Sequence, residues 1–239
     1  MDTKALVQGN EMSTKLKYDG FDIIKLIMAI FVVCIHTGFA EAVSSEKWIR
    51  PLFDTAVPFF FMTSSFLLFE KIENSNISPR NVFNRYLLHF VKLYCIWSFV
   101  YFPFAVYYYV TTKTSIAVAV FDYLRGFFLI GQHYYSFQLW YLLSTILGVA
   151  VLRILYKKVS DKVLFCTAVI VYVISEALTY LADNLELYTG IIYKFGRLVQ
   201  LTIGDGLVLS GFFWLALGAL LHSHKKALAA LSVTGGGIA

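Results

Sequence analysis

The stretch FDIIKLIMAIFVVCIHTGFA, residues 21–40, decides the fold class. A helix rises 1.5 Å per residue, so a run of this length spans about 30 Å, the thickness of bilayer hydrocarbon. The residues before it end in Lys17, Tyr18, Asp19 and Gly20 and mix polarities too freely for a cleaved signal peptide, so the run reads as an uncleaved first span. Working outward, comparable apolar runs follow at 51–69, 93–110, 137–155, 163–182 and 207–221. Segment 116–130 is apolar but shorter, and it carries Asp122 and Arg125. The pattern predicts an all-α, polytopic transmembrane helix bundle with about six crossings plus one interfacial or re-entrant helix. It divides the chain into a cytoplasmic N-terminal segment (1–20), a transmembrane domain (21–222) and a flexible, Gly-rich C-terminal tail (223–239).

Composition agrees. Of 239 residues, 59% are hydrophobic and 15% charged, and mean hydropathy is +0.69. Soluble domains carry about 25% charged residues, so a soluble enzyme of this composition could not cover its own surface. Disorder and a disulfide scaffold are excluded on the same grounds, because Cys34, Cys95 and Cys166 are odd in number and lie in apolar runs. No zinc-type spacing, phosphate loop, dinucleotide fingerprint or nucleophile elbow occurs, so no metal or bound cofactor is expected.

The net charge of +5 is read as a topology signal, with the lipid bilayer and not nucleic acid as the partner. With the N-terminus inside, thirteen Lys and Arg fall on the cytoplasmic side, including Lys71, Arg80, Arg85, Lys92, Arg153, Lys157, Lys158 and Lys225, against six outside. This bias fits the positive-inside rule with both termini cytoplasmic. Counting 116–130 as a crossing would put Arg153, Lys157 and Lys158 outside.

Ionisable residues within a span are expensive and therefore candidates for function. The first span holds Asp22, Lys25 and His36. At 100° per residue, Lys25 and His36 share a face to within about 20° and lie about 16 Å apart along the axis. Asp22, Lys25, Ala29, Val32 and His36 form one stripe, expected to face the bundle interior. The plainer reading is an Asp22–Lys25 interfacial pair with Lys25 snorkelling and a packed His36. The chemical reading makes His36 a proton acceptor, the role imidazole fills most often among side chains. Asp54, near the start of the next span, would lie at the depth of His36 and could orient its ring. Glu176 sits mid-span, as either a hydrogen-bonded carboxyl or a groove-lining group.

The spacing of Lys25 and His36, together with Ala29 and Val33, resembles the opening motif of acyltransferase family 3, a basic residue followed after ten residues by His. Residues 56–68, AVPFFFMTSSFLL, look like that family's second span. Gln138-Leu-Trp140-Tyr141-Leu and Gly206-Leu…Gly211-Phe-Phe213…Leu217-Gly218 are similar to later elements. The resemblance implies an integral membrane acyltransferase of the bacterial cytoplasmic (inner) membrane, moving an acyl group, acetyl by expectation, from cytoplasmic acyl-CoA to a hydroxyl of an envelope polysaccharide or lipid-linked sugar. Acyl-CoA would be a co-substrate. His36 matches the essential histidine and Lys25 the essential basic residue. Arg80, Arg85 and Lys92 fall where the family often places CoA-contacting arginines, and a basic patch suits CoA's phosphates.

Three positions depart from the family pattern. Lys25 stands where Arg is usual, Ser65 where Gly is usual and Gln138 where His is common. Six crossings are also few for the family, so the chain reads as short or truncated. The alternative is a non-catalytic relative acting as a membrane scaffold or a glycan-lipid translocator. Oligomeric state, including a homo-oligomer, is not readable from these residues.

Overall fold

The computed structural model describes residues 19–39, 50–203, 207–225 and 227, and these are entirely helical or loop. The chain divides into two compact units, Met1–Phe60 and Phe61–Ala239.

In the first unit, α1 (Asp19–His36) corresponds to the expected first span, and a short α2 covers Arg50–Asp54. The two touch through Phe31 and Phe53, whose rings meet edge to face at 5.0 Å. The half-buried positions of α1 are Lys25, Met28, Phe31, Val32, Cys34 and Ile35, while Ala29 and His36 are exposed. The most covered stripe is thus Lys25–Met28–Val32–Ile35: of the expected Asp22–Lys25–Ala29–Val32–His36 stripe, Lys25 and Val32 are on it, while Met28 and Ile35 take the places of Ala29 and His36.

Helix α3 (Ala56–Asn74) begins in the first unit and continues into the second. There follow α4 (Pro79–Thr111), α5 (Ile116–Arg125), a π-helical turn at Gly126–Ile130, a 3₁₀ turn at Phe137–Leu139, α6 (Trp140–Leu155), α7 (Asp161–Asp183), a 3₁₀ turn at Leu185–Leu187, α8 (Gly190–Ile203) and α9 (Leu207–Ser223). Among the described residues, four stretches are long and apolar enough to cross a membrane: Arg50–Asn74, Pro79–Thr111, Phe137–Leu155 and Asp161–Asp183. Val208–Ser223 is apolar but shorter. Six crossings are therefore not established. Helix α4 begins well before the expected start at 93, because Pro79 at the first turn lacks the N–H that a helix start would leave unpaired. Arg80, Arg85 and Lys92 consequently ride on a helix.

The second unit is organised around α9, which packs on α6 and α7, while α6 also packs on α4. Phe61, Leu68, Phe83, Val149, Leu152 and Leu215 are almost wholly buried there. A Cβ on Gly218 would collide with the backbone carbonyl of Met62. That glycine lets α3 and α9 approach to backbone contact, the usual device where lipid supplies no hydrophobic drive for helix association. Polar residues complete the seam. Ser144 donates to the Val208 carbonyl at 2.7 Å, and the Ser64 and Tyr141 hydroxyls share a bond of 3.2 Å. Ser65, at the family's usual glycine position, is fully buried with its hydroxyl unpartnered.

Candidate functional site

Lys25 lies on the first half of α1 and pairs with Asp22 at 3.1 Å, one turn earlier. The pair is open to solvent on the Asp22 side, so its Coulomb energy is small and Lys25 keeps donors for another partner. His36 is the last residue of α1, and the chain turns at Thr37 and Gly38. Along one helix, Lys25 and His36 are separated by about 16 Å and do not touch. Asp54 closes α2 and is exposed. No hydrogen bond or ion pair joins Asp54 to His36 among the described residues.

Arg80, Arg85 and Lys92 are all exposed on the first half of α4. Arg85, His89 and Lys92 recur at spacings of four and three and form one basic stripe, while Arg80 points about 140° away from Arg85. Gln138, at the family's histidine position, donates to the Tyr101 hydroxyl at 2.5 Å and so ties the start of α6 to α4. Glu176 is exposed on α7, one turn from Tyr172. Arg197 donates to Gln200 at 2.6 Å, whereas Asp205 lies outside the described residues.

The fold also builds a charged cluster that the sequence did not suggest. Near its C-terminal end α3 presents Glu70 and Glu73, and the last turn of α9 carries His222, with Lys225 just beyond the helix. The Lys225 ammonium lies 2.5 Å from a carboxylate oxygen of each glutamate, and His222 Nε2 lies 3.1 Å from the same two oxygens. Asn74 donates to the other Glu70 oxygen at 2.8 Å. Hydrogen bonds to both carboxylates hold the Lys225 pKa above its ordinary value. Glu70, Glu73 and His222 are a grouping that could hold a metal ion, but Lys225 already supplies the cation between the carboxylates. Beside the cluster is a cavity of about 700 Å³, lined by Phe69, Tyr156, Lys157, Asp161, His222 and Lys225 among others. Lys157 and Lys225 entered the sequence reading only as topology charges. Nothing in the local pattern around Glu70 points to His222 and Lys225, 152 and 155 residues further along the chain.

At the opposite end of α7 the loop after α5 makes a second feature. The π turn Gly126–Ile130 closes with the Gly131 amide bonded to the Gly126 carbonyl at 2.7 Å, and Gly131 takes φ +74°. His133 is buried, stacks on Tyr123 at 4.3 Å and is held by Ser136, which accepts from its amide at 2.9 Å. Burial pushes the His133 pKa down to about 4.

Comparison with known proteins decides the family. A family model described as an acyltransferase domain matches residues 18–235, which takes in Lys25, His36, the α4 stripe and the cavity beside Lys225. The chain belongs to acyltransferase family 3. Curated relatives include two proteins of Enterococcus faecalis named amino-acid racemase, 29% and 24% identical over 68% and 67% of this chain. A serine/alanine racemase of Enterococcus gallinarum is 30% identical over 66% of it. In each case the similarity spans only 22% of the relative's own length. No solved structure matches. Family membership and the apolar helices together make this a membrane protein of an acyltransferase family.

Proposed function

We propose that this chain is an acyl-CoA-dependent O-acyltransferase of the bacterial inner membrane, transferring an acyl group, acetyl in the simplest case, to a hydroxyl of an envelope glycan or lipid-linked sugar. The observation that carries this reading is the placement of Lys25 and His36 on one continuous helix inside a family match that runs almost the length of the chain. His36 acts as general base: its imidazole takes the acceptor hydroxyl's proton as the oxygen attacks the thioester carbonyl, and CoA leaves as the thiol. In the second unit, Arg80, Arg85 and Lys92 on α4, with Lys157 at the larger cavity, supply the positive charge that attracts the polyanionic donor at the cytoplasmic face, and Lys25 does the same within the first unit. A cavity of about 700 Å³ falls within the size range of small-molecule sites.

The test is transfer of labelled acetyl from acetyl-CoA to envelope glycan by proteoliposomes containing the protein. Wild type should exceed His36→Ala by at least about a hundredfold. Equal transfer by the two would sink the proposal.

A second reading is favoured by the relatives' names. Three proteins named as racemases are 24–30% identical to 66–68% of this chain, which favours a non-catalytic membrane module that scaffolds or translocates for amino-acid chemistry. Uptake of a labelled amino acid into the same proteoliposomes, with no acetyl transfer, would favour it.

A further inference from the structure

A cavity of about 370 Å³ lies at the Asp183 end of α7, a helix length of about 34 Å from the Glu70–Lys225 cluster. Its walls are Arg125, Ile130, Gln132, Ala182, Asp183, Gln200 and Leu201. Neither Lys25 nor His36 contributes to it.

The cavity carries both signs of charge. Arg125 is fixed in place, with one terminal nitrogen donating to the Leu201 carbonyl at 3.2 Å and the other 3.6 Å from Asp122. Its Nε is sealed from solvent and has no partner. The Gln200 carbonyl oxygen already accepts from Arg197, which leaves the Gln200 amide NH₂ as the end available to a ligand. Nε is out of a ligand's reach, but each terminal nitrogen of Arg125 carries two N–H groups, and those not already engaged, with the Gln200 amide, are donors suited to a carboxylate. Asp183 is exposed and forms no ion pair among the described residues, so it presents acceptors suited to an ammonium. Ile130, Ala182 and Leu201 add small apolar walls, and no aromatic ring lines the cavity for a sugar or base to stack on.

The wall between Arg125 and Gln132 is the π turn closed by left-handed Gly131. A Cβ at Gly131 would meet the backbone of Trp140. Single π turns are rare and concentrate at functional sites, and this one sets the offset between the guanidinium and the Gln132 amide.

We propose that this cavity binds a small zwitterion, an amino-acid-like molecule whose carboxylate meets Arg125 and Gln200 and whose ammonium meets Asp183. The site is separate from the acyl-transfer reading and stands or falls without it.

The experiment is calorimetric titration of the full chain in nanodiscs with four probes: L-alanine, L-lactate without the ammonium, ethylamine without the carboxylate, and glucose. Alanine should bind at least about tenfold tighter than lactate or ethylamine, and glucose should not compete. Asp183→Asn, a change at an exposed position, should bring alanine down to the affinity of lactate. Arg125→Gln should weaken alanine and lactate together. Alanine binding no tighter than its single-charge analogues, competition by glucose, or an unchanged alanine affinity in Asp183→Asn would each overturn the proposal. Acetyl transfer is measured on the same preparation, so a sample that transfers acetyl but ignores alanine rejects the cavity assignment alone.

Discussion

His36 closes α1, and Lys25 lies three turns earlier beside Asp22. At this scale the two residues separate by role. Replacing His36 by Ala removes the proposed base and should lower the maximal acetyl-transfer rate by about a hundredfold or more with little change in KM for the donor. Lys25→Met should chiefly raise that KM, because an attraction to the bound donor is lost without loss of the proton acceptor. Steady-state kinetics on proteoliposomes reads both. Ser65 offers a stability test that is independent of activity. Its hydroxyl is buried without a partner in a helix seam, so Ser65→Ala should stabilise the protein by about 1 kcal/mol, read as a rise in melting temperature in detergent.

Among the elements, the π turn and its loop are the most sharply constrained. His133 sits against Tyr123 with its pKa lowered to about 4 by burial. The unfolded chain takes up a proton near pH 6.5 and the folded one does not until about 4, so between those values the unfolded state binds more protons. Stability should therefore fall as pH drops through this window, by about 1.4 kcal/mol per pH unit at most, and His133→Phe should flatten the slope in thermal melts from pH 7 to 4.5. The α3–α9 contact is a matter of backbone approach. Gly218→Val should cost about 2 kcal/mol, because the Met62 carbonyl cannot retreat without parting the two helices. A melting temperature unchanged by that substitution would show that the helices are not so close.

Over the whole molecule, Lys225 draws the end of α9 onto α3 by bonding to Glu70 and Glu73. Removing the ammonium leaves two neighbouring carboxylates, one of them buried, without their cation. Lys225→Met should lower the melting temperature, and the double change with Glu73→Gln should recover part of the loss, as a thermal-melt double-mutant cycle would show. The sign with pH follows from the raised Lys225 pKa: this contribution is complete below the unfolded lysine's pKa and fades as alkaline pH passes the folded value.

Composition and apolar run length determined by themselves that the chain is helical and made for a bilayer, because backbone groups in hydrocarbon must be satisfied within each segment. The lysine-to-histidine spacing within one helix was equally legible, since a helix fixes the relation of residues eleven apart. Crossing number was less so, for hydropathy cannot tell a full span from a shorter buried helix such as α9. Of the expected α1 stripe Lys25 and Val32 are covered but Ala29 and His36 are not, because periodicity names a face but packing chooses which edge of it is covered. Only the tertiary structure joined Glu70 to His222 and Lys225, or Arg125 to Asp183 and Gln200 around a common cavity. Those residues are far apart in the chain, and the charges that local pattern assigns to topology become sites only when helix ends are brought together.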